Sequence, residues 1–114
     1  MCNYAIYNAN IRLISTATFN ADIVSDALPL CQFKNVGVHI VWTSLSGTVN
    51  ATVSVQGSND AQNWDNLATA ITLSGSSSND LVLLNNCFCS YLRVVAAKNN
   101  VTGGSLVVTA TLKV

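Results

Sequence analysis

The sequence predicts an all-β protein: an antiparallel β-sandwich of jelly-roll-like topology, with seven to eight strands and almost no helix. Three observations carry this. Apolar and polar residues alternate with period two through most of the chain. Short polar turns separate the alternating runs. No stretch of ten or more residues has a 3.6-residue apolar period with caps at its ends.

Taking the elements in order, residues 1–10 are rich in tyrosine and asparagine and read as an N-terminal arm, of the kind that orders against a neighbour. Residues 11–19 form a first strand, and residues 28–33 a second with poorer alternation. Val36, Val38, Ile40 and Trp42, interleaved with Gly37, His39, Val41 and Thr43, make the first clear strand. Ser44-Leu45-Ser46-Gly47 reads as a hairpin turn into the next, where Val49, Ala51, Val53 and Val55 alternate with Thr48, Asn50, Thr52, Ser54 and Gln56. Residues 67–73 and 81–84 are further strands, with the Gly75–Asp80 loop between them. Tyr91-Leu92-Arg93-Val94-Val95-Ala96 follows, and residues 99–104 read as a second hairpin. The last strand alternates Leu106, Val108, Ala110 and Leu112 with Ser105, Val107, Thr109, Thr111 and Lys113. The 114 residues fit one domain.

Composition narrows function. Only 9% of residues are charged, half are hydrophobic, and five acids balance five bases. No basic face exists to neutralise phosphates, so a nucleic-acid role is not expected. The hydropathy comes from alternation and not from the ~18 consecutive apolar residues of a membrane helix, so no membrane role is expected either. The start has no basic segment followed by an apolar run, so no signal peptide is expected. On that ground the sequons Asn50-Ala51-Thr52 and Asn100-Val101-Thr102 read as chance. A weakly charged surface protects poorly against self-association. It suits a subunit whose surface is covered by neighbours.

No residue set proposes catalysis, a metal or a cofactor. His39 stands alone on the polar side of its strand and reads as a solvent- or interface-facing residue. Cys87-Phe88-Cys89 places two thiols on one side of a strand, which is not the C-x-x-C spacing of a zinc or redox motif. Buried free thiols are the default reading for all four cysteines. The sharper alternative is cross-linking between subunits through Cys2 or Cys31. Asp60 and Asp65 share one short turn, which fits Asx-turn chemistry better than calcium or paired acid–base carboxylates.

The most informative stretch runs from Val53 to Leu67. A strand ends in Gly57-Ser58-Asn59-Asp60, and Trp64 and Leu67 are expected to return over the open end of the core while Asn59 and Asp60 satisfy the turn's amides. The same loop is a candidate contact surface. Candidate partner contacts are therefore Tyr4, Tyr7, Asn59, Asp60 and Trp64.

The pattern Ser58-Asn59-Asp60-x-x-x-Trp64-x-x-Leu67, followed by Tyr91-Leu92-Arg93-Val94 and the ending Gly104-Ser105-Leu106-Val107-Val108-Thr109-Ala110-Thr111-Leu112, resembles small β-sandwich proteins of tailed-phage virions: head decoration, neck and tail accessory proteins. The S-N-D-x-x-x-W corner also resembles that of discoidin-like sugar-binding sandwiches. The first resemblance implies a non-enzymatic virion component, assembled in the host cytoplasm, that decorates or cements the capsid. Its partners would be copies of itself and other virion proteins, such as a major capsid or tail protein, in a homo-oligomer. The second implies a carbohydrate-binding module for host attachment, with Trp42, Trp64 and Tyr91 as candidate ring contacts.

Overall fold

A computed structural model describes residues 8–114. Ten strands form two facing antiparallel sheets, and no helix occurs among the described residues. The first sheet contains β1 (Asn8–Thr16), β10 (Val101–Lys113), β4 (Asn35–Gly47) and β8 (Ser78–Leu84), in that spatial order. In the second sheet β9 (Tyr91–Ala97) and β5 (Thr52–Ser58) lie side by side. Two two-residue strands flank β9, β2 (Ile23–Val24) and β3 (Leu28–Pro29). Two more flank β5, β6 (Asp65–Asn66) and β7 (Ile71–Thr72).

Each flanking pair is one strand position interrupted in the middle. Between β2 and β3, the Ser25 amide donates to the Val94 carbonyl at 2.9 Å, and the Ser25 hydroxyl accepts the Val94 amide at 2.8 Å. A side chain thus replaces a ladder carbonyl, and the chain stays on the sheet while its register breaks. Counted by position the sandwich has eight strands, four per sheet. Apart from β5 and β6, each strand position connects to one in the facing sheet. This is the expected jelly-roll arrangement.

The alternation places the core. Val36, Val38, Ile40 and Trp42 of β4 and Leu106, Val108, Ala110 and Leu112 of β10 face Val53 and Val55 of β5 and Leu92, Val94 and Ala96 of β9; all are buried. Phe19, Leu30, Phe33 and Leu73 close the interior from the connections. Burying side chains of this size contributes roughly 1.5–3 kcal/mol each. In β1 a register shift between Arg12 and Ile14 moves the inward set from Ala9 and Ile11 to Ile14.

Several expectations are corrected. The segments 44–47 and 99–104 are not hairpin turns, because β4 and β5 lie in different sheets, as do β9 and β10. β4 runs on to Gly47 and β10 begins at Val101, so both strands are 13 residues long. Turn-forming residues mark a reversal but not which sheet the next strand joins. Residues 8–10 of the expected arm are the start of β1, paired with residues 111–113. The two sequon asparagines bind one another across these connections: Asn50 Nδ2 donates to Asn100 Oδ1 at 2.8 Å, and the Asn100 amide donates to Asn50 Oδ1 at 2.9 Å.

Candidate interaction surface

The Ser58–Trp64 corner links β5 to β6, and its polar groups are consumed locally. Asp60 Oδ1 accepts the amides of Gln62 at 2.9 Å and Asn63 at 2.8 Å, and the Ser58 hydroxyl at 2.8 Å. Asp60 Oδ2 accepts Asn63 Nδ2 at 2.7 Å. The amides of Asn63 and Gln62, then the side chains of Asn63 and Ser58, hold the Asp60 carboxyl well below the usual carboxylate range. Asn59 Oδ1 accepts the Ser90 amide at 3.1 Å, tying the corner to the segment before β9. Asp60 thus has the turn-satisfying role expected of it, whereas Asn59 departs from that expectation by holding an amide of a different segment.

Trp64 is not where the sequence reading put it. Arg93 alternates with buried Leu92 and Val94, so its side chain emerges on the outer face of the second sheet. Trp64 lies there, its ring 4.3 Å from the Arg93 guanidinium carbon. Arg93 Nε donates to Gln56 Oε1 at 2.8 Å, and Gln56 Nε2 to Asn66 Oδ1 at 3.1 Å. Leu67 does pack on the core. Of the aromatics considered for sugar stacking, Trp42 is buried, with its Nε1–H donating to the Gly75 carbonyl at 3.0 Å, and Arg93 covers Trp64.

Cys87 and Cys89 are free, half-buried thiols packed against the core, as the default reading expects. They sit on the β8–β9 connection and not on a strand. Burial, then the neighbouring Cys87, push the Cys89 thiol up, so it stays protonated near neutrality. Cys31 departs from the default: it is disulfide-bonded. Cys2, Tyr4 and Tyr7 lie outside the described residues.

The feature the sequence reading missed is on the first sheet. β8 is an outer strand, paired with β4 from Ser78 opposite Trp42 to Leu84 opposite Val36. Val82 points inward and is buried. Leu81 and Leu83 point outward, 53% and 68% exposed. Gly37 of β4 lies opposite Leu83 and has no side chain; a Cβ there would stand 3.5 Å from Leu83 Cδ2 and 4.0 Å from Leu81 Cδ1. The two leucines lean over that gap and wall a shallow open hollow of about 390 Å³, with His39, Thr111 and Lys113 along its other side. His39 is exposed, as expected, and its Nε2 lies 3.2 Å from Asn79 Oδ1. Two adjacent exposed leucines, with one lysine at the far side of the hollow, are what an interface core with a polar rim requires.

No protein-family model matches the chain, and no curated protein matches it. Solved structures share its fold. The SPBc2 prophage-derived protein YomS superposes with a TM-score of 0.62 at 10% identity, over 96% of this chain and 98% of YomS. A chain of infectious bursal disease virus, Gx strain, superposes with a TM-score of 0.53 at 8% identity, over 99% of this chain and 34% of the viral one. At these identities the likeness is one of fold.

Proposed function

We propose that the protein is a non-enzymatic structural component of a tailed-phage virion, decorating or cementing the capsid through subunit–subunit contacts. The observation that carries this reading is the outer face of β4 and β8, where Leu81 and Leu83 are exposed side by side on a chain of which only 9% is charged. Apolar area there stabilises contacts at about 25 cal/mol per Å², and the gain repeats with every copy in a lattice. No charged or catalytic group is required. The fold shared with a prophage-derived protein over nearly the whole of both chains supports the same reading. A sandwich that joins a particle through such a face needs a rigid sheet behind it, which the long β4–β10 ladder supplies.

The test is to purify particles by density-gradient banding from cells producing the encoding phage, then probe them for this chain by mass spectrometry and immunogold labelling. The expected result is a fixed copy number per particle, and a Leu83→Lys chain that folds but is missing from the band. Wild-type protein that stays with the soluble fraction overturns the proposal.

A further inference from the structure

Among the described residues the sandwich has four outer strand positions, and three are permanently guarded against pairing with another chain. In the second sheet both are broken into two-residue strands, too short to template a partner. In the first sheet β1 carries Arg12 and a register shift beside it. β8 differs. Its seven residues keep an unbroken register with β4 and include no lysine, arginine or proline.

The direction of its free hydrogen-bonding groups follows from one contact. The Leu81 amide donates to Asp80 Oδ1 at 2.9 Å. An amide facing β4 would be engaged in that ladder. Leu81 therefore faces the open edge, and by the alternation of antiparallel pairing so does the backbone of Leu83. The residues whose backbone groups face away from the β4 ladder are those whose side chains form the exposed leucine patch.

We infer that two copies of the chain pair antiparallel through the open edges of β8, about a two-fold axis at Val82, setting Leu81 against Leu83 of the second copy. Directly opposed residues in such a pair point to the same face, so only registers centred on a residue are allowed. Centring on Val82 makes two hydrogen-bonded leucine pairs, four backbone hydrogen bonds and one continuous four-leucine patch. Centring on Leu81 would oppose Leu83 to Asn79. Charge selects the same register. Asp80 is the strand's sole charge, and about Val82 the two Asp80 positions stand roughly 14 Å apart, beyond the ~10 Å screening length, against about 8 Å when centred on Leu81. A contact of one strand and four leucines falls below the roughly 800 Å² per partner of a standard interface, so the dimer is weak and concentration-dependent. The inference deepens the virion reading by naming one subunit contact, but its evidence is the β8 edge itself.

Sedimentation equilibrium tests it, run from ~10 μM to ~1 mM, the range expected of a small interface. Rising mass towards a dimer is expected for the wild type. Leu83→Lys, with an unchanged far-ultraviolet circular dichroism spectrum, should stay monomeric. Asp80→Ala removes the acceptor that competes for the Leu81 amide and should tighten the dimer several-fold. In hydrogen exchange, the Leu83 amide should slow about tenfold when nine-tenths of the chains are paired. A monomer at all concentrations overturns the inference, as does a dimer whose Leu83 amide exchanges at the monomer's rate. Particle purification reports separately: a chain that dimerises but is absent from particles rejects the virion reading alone, and one that is present but monomeric in solution rejects the pairing alone.

Discussion

Gly104→Ala puts a side chain where the surrounding backbone leaves no room. Gly104 lies in β10 where its register with β4 breaks, at φ +105°. A Cβ added there would stand 2.5 Å from the Ser44 carbonyl oxygen, 2.7 Å from Leu45 Cα and 2.8 Å from the Leu45 nitrogen. All three are backbone atoms, so no side chain can rotate away. The Gly104 carbonyl also accepts the Phe19 amide at 2.7 Å, which resists a shift of this strand. A side chain held at such a φ costs roughly 1–3 kcal/mol, and overpacking against atoms that cannot move costs about 1–3 more. Together these give about 2–6 kcal/mol. Unfolding entropy near 2.1 cal/mol/K per residue over 114 residues makes 1 kcal/mol worth about 4 °C, so the melting temperature should fall by ~8–24 °C. Gly75→Ala is the control: φ is also positive, +74°, but nothing lies within 4 Å of the added carbon. Only the left-handed strain remains, about 1–2 kcal/mol or ~4–8 °C. Thermal unfolding followed by circular dichroism separates the two. A Gly104→Ala loss no larger than that of Gly75→Ala would refute the geometry assigned to this crossing of β4 and β10.

Three further outcomes are expected. The Asp60 carboxyl sits below its ordinary 3.8 in the fold, so its stabilisation is fully present above that value and is lost as pH falls through and below it; urea midpoints of wild type and Asp60→Asn should converge from pH 6 towards pH 3, and a constant gap would contradict the role of the carboxylate. Trp42→Phe removes the hydrogen bond to the Gly75 carbonyl and leaves a small void, which should cost about 1–3 kcal/mol in urea unfolding with m unchanged. Cys31→Ser should lower stability by about 2–4 kcal/mol, and reductant should bring the wild type down to the variant's midpoint and leave the variant where it was.

Much of the sandwich was legible because its central strands alternate cleanly. The inward residues of β4, β5, β9 and β10 are the ones that period two selects. The strand partners were not legible, since Ser44–Gly47 and the segment before Gly104 have turn composition whether they join neighbours or cross between sheets. β2 was missed because two residues held by Ser25 leave no periodic trace. Trp64 was misplaced because its partner, Arg93, is distant in sequence, and hydrophobicity alone argues for burial. The leucine patch was hidden differently. Leu81-Val82-Leu83-Leu84 has no polar member, so it reads as buried on both faces. Only the pairing of β8 with β4 decides that Val82 faces the core and Leu81 and Leu83 do not. An unbroken apolar tetrapeptide beside a loop rich in Ser and Asn was the available signal, because an outer strand rarely needs two apolar faces.

That outer strand explains why so neutral a chain is not simply sticky at every edge. Charge is the usual guard of open strands, and this protein has little. Its other guards are permanent: broken strands, a register shift, an arginine beside it. On β8 the guard is one carboxylate bonded to the Leu81 amide, which a side-chain rotation withdraws. An edge closed by rotation stays mostly shut when copies meet rarely by diffusion. It opens to pairing when copies are held close, because tethered sites see effective concentrations near millimolar. Weakness in solution and contact on a crowded surface then follow from the same five residues, Asp80 to Leu84. Replacing Asp80 by a permanent guard, Asp80→Pro, would be a poorer test than Asp80→Ala: residue 80 faces β4 in the ladder, and proline there would remove a bond the sheet needs.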